Sequence, residues 1–268
     1  MQTLLNYHMP AGYQAFSTTR MSPFDLSDGD LRRMGNYAAF NVTDYCGDDP
    51  LRVQRNRHWL AEQIGIPSDR IVLPRQTHTD HVAYIGAEFL KMSPEGQRTH
   101  IEETDALITA LPNICIGVST ADCVPILLYS TGKRAIAAIH AGWRGTVKRI
   151  AQRTVQTMQQ LLEVSPQDLH AIIGPGISAS AFEVGKEVAD QFEAQNFPPT
   201  CIDSASYAKP HIDLWAANAW LLEECGVPLP HIEISGICTY THADTFFSAR
   251  RLGINSGRIF SAILMREP

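Results

Sequence analysis

Apolar residues in this chain fall into two patterns, and each predicts a different kind of element. Short, unbroken runs form the first. Cys115-Ile116-Gly117-Val118, continuing to Ile126-Leu127-Leu128-Tyr129, and then Ala135-Ile136-Ala137-Ala138-Ile139 are too short and too β-branched for separate helices. Runs of this kind read as strands buried on both faces. Ala171-Ile172-Ile173 before Gly174-Pro175-Gly176, and a segment near Ile259 to Leu264, extend the set. The second pattern has helical spacing. Asp48 and Asp49 before Pro50 make an acidic cap with proline at the first helical position, and Leu51, Val53, Trp59, Leu60 and Ile64 supply an apolar face up to Gly65. Gly145-Thr146 is expected to open another helix, in which Val147, Ile150, Ala151, Thr154, Val155, Met158, Leu161 and Leu162 recur at helical spacing and pack on the sheet. Further helices are expected around Val184 to Phe192 and from Leu214 to Cys225.

Strand and helix patterns mix along the whole length, with no internal repeat, low-complexity tract or linker. The expected class is therefore mixed α/β, as one domain over residues 1–268. With 44% hydrophobic residues the chain can bury a substantial core. The net charge of -6 gives no electrostatic footprint for DNA or RNA, and no basic amphipathic stretch suggests a membrane surface. A local arginine cluster could still hold a small anion. The first residues lack the basic flank and apolar core of a signal peptide, and no run is long enough to span a bilayer, so a cytoplasmic location is expected. The six cysteines include no C-x-x-C pair and are expected to be reduced, with Cys115, Cys201 and Cys225 packing in the interior.

Three residues carry the candidate chemistry: His78 in Gln76-Thr77-His78, Cys123 in Thr120-Ala121-Asp122-Cys123-Val124-Pro125, and His140 in Ile139-His140-Ala141-Gly142-Trp143-Arg144-Gly145. Two imidazoles and a thiolate suit zinc, and a set of three protein ligands leaves a tetrahedral position open for substrate or water. Cys123 and His140 both sit where an apolar run is interrupted by small or turn-forming residues, so the expected strands would carry chemistry at their ends.

Around these residues the sequence resembles the YfiH family, also called the laccase-domain or multicopper polyphenol oxidase family. Matching pieces are Gln76-Thr77-His78 with Val82, Thr104-Asp105-Ala106-Leu107-Ile108-Thr109, Thr120-Ala121-Asp122-Cys123, His140-Ala141-Gly142-Trp143-Arg144-Gly145, Ile173-Gly174-Pro175-Gly176-Ile177, Phe182-Glu183-Val184-Gly185, Cys238-Thr239 and Phe246-Phe247-Ser248-Ala249-Arg250-Arg251. In order, they cover most of the chain from about Phe16 onward. The resemblance implies a layered α/β sandwich related to putative cysteine hydrolases and a His-Cys-His zinc centre. It also implies action on purine nucleosides: adenosine deamination and phosphorolysis of adenosine, inosine and methylthioadenosine. Three departures stand out. Ser17-Thr18-Thr19-Arg20 is followed by Met21-Ser22-Pro23-Phe24-Asp25-Leu26 rather than a glycine-rich segment, Ala249 stands where tyrosine is common, and Gly176 stands where cysteine is frequent.

For deamination a proton must reach the leaving ammonia, and Asp122, Asp105 and His81 are the candidates. Strand alternation would point Asp122 away from the face that Cys123 uses, giving it a supporting role, while His81 reads as solvent-exposed. For phosphorolysis a guanidinium fork suits the phosphate, and Arg144, Arg20 and Arg57 are the candidate contacts. Asn41 and Gln76 could read polar edges of the nucleoside or equally satisfy loop backbone. Trp143 reads as a packing residue, with base stacking as the alternative. Two rival activities use the same residues. A metal-independent hydrolase, acting for instance on peptidoglycan precursors, would take Cys123 as nucleophile and His140 as base. A copper polyphenol oxidase would need His-x-His pairs, which the ten histidines do not form. Copper is the alternative occupant of the zinc site, because Cu(II) outcompetes zinc at most nitrogen and sulfur ligands. A third class is a module that binds nucleoside or metal without turnover. The sequence does not speak to oligomeric state.

Overall fold

The computed structural model describes residues 2–267. Its strands are β1 (Leu4–Asn6), β2 (Tyr13–Thr18), β3 (Ile71–Val72), β4 (Val82–Tyr84), β5 (Ala106–Thr109), β6 (Cys115–Thr120), β7 (Val124–Ser130), β8 (Ile136–Ala141), β9 (Leu169–Ile173), β10 (Ile202–Asp203), β11 (His211–Ile212), β12 (Ile232–Ile234) and β13 (Ile259–Met265). Apart from the small β10–β11 pair, they form two sheets. A five-stranded sheet runs β1-β2-β13-β6-β3, and a six-stranded one runs β12-β9-β7-β8-β5-β4.

The unbroken apolar runs are explained by a layered sandwich in which the core strands are covered on both faces. Ile116 and Val118 of β6, Leu127 of β7, Ile136 and Ala138 of β8, Ile172 of β9 and Ile263 of β13 meet in one cluster between the sheets. The alternate residues face outward. Ile126, Leu128, Ala137 and Ile139 pack against Ile150, Val155 and Met158 of helix Ile150–Leu162 and Leu221 of helix Leu214–Glu224. On the other side Cys115, Phe260, Ala262 and Leu264 pack with Leu60 of helix Pro50–Gln63 and with Ile64 just beyond it. Period-two alternation is present, but both phases are apolar because both faces are buried.

The helix punctuation matches its chemistry with one exception. Asp49 caps Pro50–Gln63 by accepting the Leu51 N–H, and Gly65 follows at φ 61°. Asp213 caps Leu214–Glu224 through Ala216. The segment after His140, expected to be one helix from Gly145, is two. Trp143–Val147 opens directly after Gly142, Arg149 turns left-handed at φ 64°, and Ile150–Leu162 starts afresh. The expected helix near Val184 begins at Lys186 and runs to Ala194. The run from Cys115 to Tyr129 also splits: β6 belongs to the five-stranded sheet and β7 to the six-stranded one, so the chain changes layers at residues 121–123. No helix among the described residues is long and apolar enough to cross a membrane.

Candidate metal centre

The candidate ligands lie at strand ends and layer crossings. His78 sits between β3 and β4, which belong to different sheets, and Cys123 sits between β6 and β7, which also do. His140 lies in β8, where Pro125 of β7 is its partner residue. The fold gathers them: one donor atom from each of His78, Cys123 and His140 lies within 4.8 Å of the others, and this is the one such group of histidine, cysteine or carboxylate donors among the described residues. Cys123 Sγ is 3.8 Å from His78 Nε2, and the two imidazoles meet edge to face with centroids 4.9 Å apart. His140 is buried, whereas Cys123 and His78 are more open. The donor set and its spacing fit a three-ligand zinc site.

Asp105 organises this arrangement. It lies just before β5 and is fully buried. Its carboxylate accepts the His140 Nδ1–H at 2.6 Å, which leaves the His140 Nε2 lone pair for the centre. The same carboxylate accepts the backbone N–H groups of Thr77 at 3.2 Å, His78 at 3.1 Å and Thr79 at 2.8 Å, together with the Thr79 hydroxyl at 2.8 Å. Three successive N–H groups can converge on one anion because His78 adopts φ 63° and curls the loop around it. Burial works against the Asp105 charge, yet the bond to His140 and the Thr79 contacts hold its carboxyl down to about 2. Burial would likewise raise the Cys123 thiol, but the His140 imidazolium, with His78, holds it down to about 6. The partnership with Cys123 and Asp105 lifts His140 above the usual imidazole range against its burial. Gly142 completes the wall: a Cβ there would lie 2.9 Å from Cys123 Sγ and 3.1 Å from His78 Cδ2.

The other candidate residues separate by what they touch. Asp122 lies in a turn at φ 87°, not in a strand, and its carboxylate accepts the Thr239 hydroxyl at 2.7 Å and the Arg250 N–H at 2.8 Å. Its role is the supporting one expected, but through a turn that ties the C-terminal loops to Cys123 rather than through strand alternation. His81 is exposed, with Nδ1 against the Glu103 carbonyl. Gln76 brackets Ser119, donating to its carbonyl at 2.8 Å and accepting its N–H at 2.7 Å. Asn41 is buried and bonded to Thr43, Asp48 and the Arg258 N–H. Both amides are thus engaged with the scaffold. Arg57 donates to the Val42 carbonyl and sits 3.5 Å from Asp44. Arg20 spends Nε and one terminal nitrogen on the carbonyls of Ala38 and Ala243 while lining a cavity of about 710 Å³ with Phe24, Leu31 and Asp244. Arg144 is exposed and stacks over Trp143 at 4.2 Å, with no carboxylate partner among the described residues. Cys238 is buried and takes hydrogen bonds from the Ser178 backbone and hydroxyl.

Sequence reasoning named Asp105 only as a proton carrier and gave Gly142, Thr239 and Arg250 no role. An aspartate opening a strand that pairs with the His140 strand is the signal that could have placed it.

The layered sandwich and its His-Cys-His centre define the chain's class: it belongs to the family described as multi-copper polyphenol oxidoreductase laccase, whose model matches residues 28–266. Among individual relatives it is 43% identical to a purine nucleoside phosphorylase of Bacteroides thetaiotaomicron over 96% of both chains. It is also 43% identical to adenosine deaminase RL5 of an unknown prokaryotic organism over 94% of both. Among solved structures, YlmD from Geobacillus stearothermophilus aligns with a TM-score of 0.87 at 29% identity, covering 99% of this chain and 97% of that one. The YfiH protein of Bacillus licheniformis aligns at 0.83 and 26%, covering 95% and 93%.

Proposed function

We propose that the protein is a zinc-dependent purine nucleoside enzyme that deaminates adenosine and phosphorolyses adenosine, inosine and methylthioadenosine at the His78–Cys123–His140 centre. The carrying observation is the convergence of these donors on one another with Asp105 fixing the His140 tautomer. The relatives named as a purine nucleoside phosphorylase and an adenosine deaminase supply the substrate class. Zinc bound there supplies Lewis acidity and makes water nucleophilic at neutral pH. Asp105 keeps a proton on His140 Nδ1 and holds the loop that presents His78. Arg144 is the phosphate arm, since its guanidinium has no carboxylate to satisfy and is steadied by the Trp143 ring. Arg20, which lines the N-terminal cavity, is a second candidate anion contact.

One observation favours a second reading. The order Asp105–His140–Cys123 is also that of a carboxylate-oriented base beside a thiolate, as in a metal-independent Cys-His hydrolase. His78 distinguishes the two, because a thiol nucleophile with one base does not need it. The test is to follow adenosine with and without phosphate by chromatography, using metal-analysed protein and the Cys123→Ala and His78→Ala variants. Phosphate-independent inosine and phosphate-dependent adenine, lost in both variants together with bound zinc, support the proposal. No turnover by the zinc-loaded wild type refutes it. Activity on an acyl substrate that survives chelation and His78→Ala establishes the hydrolase instead.

A further inference from the structure

The donors of the centre are referenced to one another on one side and need a reference on the other. Asp105 ties the His78 loop to His140, since its carboxylate holds the backbone of residues 77–79 and the His140 ring together. Nothing in that arrangement sets His78 against Cys123, which lies on a different passage of the chain between the sheets. A shift of either passage along the other would change the 3.8 Å separation of Cys123 Sγ and His78 Nε2. The two passages therefore require a contact of their own.

Backbone pairing does not supply it. Strand β3 runs parallel to β6, but their pairing ends at Val72↔Ile116, and Pro74 has no N–H with which to extend it. Beyond that point Arg75 pairs with Glu102 instead. Near the end of β6, Ser119 lies opposite Phe260 of β13 on one side. On the other side its N–H and carbonyl both meet the Gln76 side chain: Nε2 donates to the carbonyl at 2.8 Å, and Oε1 accepts the N–H at 2.7 Å. The carboxamide thus takes the place of a peptide group in an adjoining strand, satisfying a backbone donor and acceptor with one planar unit. Its orientation is fixed as well. Oε1 also accepts the Ser119 hydroxyl at 3.2 Å, and the Tyr45 hydroxyl lies 2.6 Å from that hydroxyl and 3.3 Å from Oε1. Flipped, the amide would set its NH₂ against the Ser119 N–H and its oxygen against a carbonyl.

We infer that Gln76 is a positioning residue for the metal centre: its carboxamide locks the passage carrying His78 to the passage carrying Cys123 and so fixes the spacing of these two donors. The inference rests on the zinc reading of the centre given above. Gln76 lies two residues before His78 and Ser119 four before Cys123, so the lock acts close to both. Its effect passes through the backbone, and Gln76 is not itself a ligand.

The experiment measures Co²⁺ binding by the full chain as wild type, Gln76→Ala and Gln76→Glu. Co²⁺ takes the nitrogen and sulfur donors that zinc takes, and a cobalt–thiolate charge-transfer band that is lost in Cys123→Ala reports the bond to Cys123. Alanine removes both contacts with Ser119. Glutamate keeps an acceptor for the N–H but sets its second oxygen against the Ser119 carbonyl. Gln76→Ala should weaken Co²⁺ about 10–100-fold, the usual cost of losing a supporting contact behind metal ligands, and should alter the charge-transfer band at saturation. Gln76→Glu should change both in the same direction. Thermal melts of the metal-free variants set a titration temperature at which each is folded. A merely structural glutamine would lower the melting temperature and leave the affinity and spectrum of the folded protein unchanged. That outcome in Gln76→Ala, or in Gln76→Glu where the alanine variant does not fold, overturns the inference. A wild type without a cobalt–thiolate band overturns the metal reading and the inference with it, so the two failures are told apart.

Discussion

Replacing Asp105 by asparagine tests the architecture of the centre most directly. The two carboxylate oxygens serve opposite sides: one takes the protons of Thr77, Thr79 and the Thr79 hydroxyl, and the other takes those of His78 and His140 Nδ1. An amide has one acceptor oxygen, so its NH₂ must face donors on one side or the other. Facing Thr79, it meets two backbone N–H groups. Facing His140, it forces the imidazole proton onto Nε2, where it competes with the metal. Asp105 is fully buried, so solvent screening relieves neither case. Breaking a buried charged pair costs about 3–5 kcal/mol, and 1 kcal/mol shifts Tm by about 2–4 °C in a chain somewhat smaller than this one, so a fall on the order of 6–20 °C, toward the lower end in this longer chain, is expected for the metal-free protein. Zinc affinity should fall about 10–100-fold, the usual effect of removing a carboxylate behind a ligating histidine. A chelator-competition titration and a thermal melt of the metal-free form measure the two effects. An Asn variant with wild-type zinc affinity and wild-type Tm would refute the idea that this carboxylate sets both the His140 tautomer and the His78 loop.

Gly142→Ala should lower metal affinity and activity while leaving the far-ultraviolet spectrum intact, because the nearest atoms the added methyl meets belong to Cys123 and the His78 ring; unchanged metal binding would show that the wall can yield. Asp122→Ala strands the buried Thr239 hydroxyl, at about 1–3 kcal/mol for a buried donor left unsatisfied, and also removes the acceptor of the part-buried Arg250 N–H; a melt showing no loss would deny that this turn anchors the C-terminal loops. Alkylation of the metal-free protein near pH 7 should modify Cys123 first, since its thiolate persists down to about pH 6, while burial pushes Cys201 and Cys225 up to about 11. Its rate should fall as pH drops through about 6, and zinc should protect; peptide mapping that finds another cysteine modified first contradicts the assignment. Arg144→Ala should raise KM for phosphate far more than KM for adenosine in deamination, and equal effects would remove its role as the phosphate arm.

What the sequence could reveal depended on how local the cause was. Strands β6 to β9 and β13 were legible because burial on both faces leaves short, nearly unbroken apolar runs in them, and the helices at Pro50 and Leu214 because their caps are adjacent in sequence. The three donors that the fold gathers were singled out by residue type and motif. The layer change at residues 121–123 was not, since β6 and β7 are equally apolar and only tertiary pairing assigns them to different sheets. The break at Arg149 was hidden because apolar spacing continues across it. Asn41 and Gln76 look like substrate readers in sequence and like loop braces in the structure, because their partners Arg258 and Ser119 lie far along the chain.

The positions of the ligands also have a mechanical consequence. His78 and Cys123 stand on two separate passages of the chain from one sheet to the other, while His140 belongs wholly to the six-stranded sheet. An ion held by all three therefore acts as a clasp across the seam, tying both passages to one strand. Its binding energy adds to the resistance of the layers to parting, growing as RT ln(1 + [metal]/Kd). Stripping the metal should accordingly quicken amide exchange first in residues 76–80 and 121–123, with the outer helices keeping their protection. With an ion held there, the same group would serve as the fastening between the halves of the sandwich, and loss of metal and loosening of the layers would be a single event.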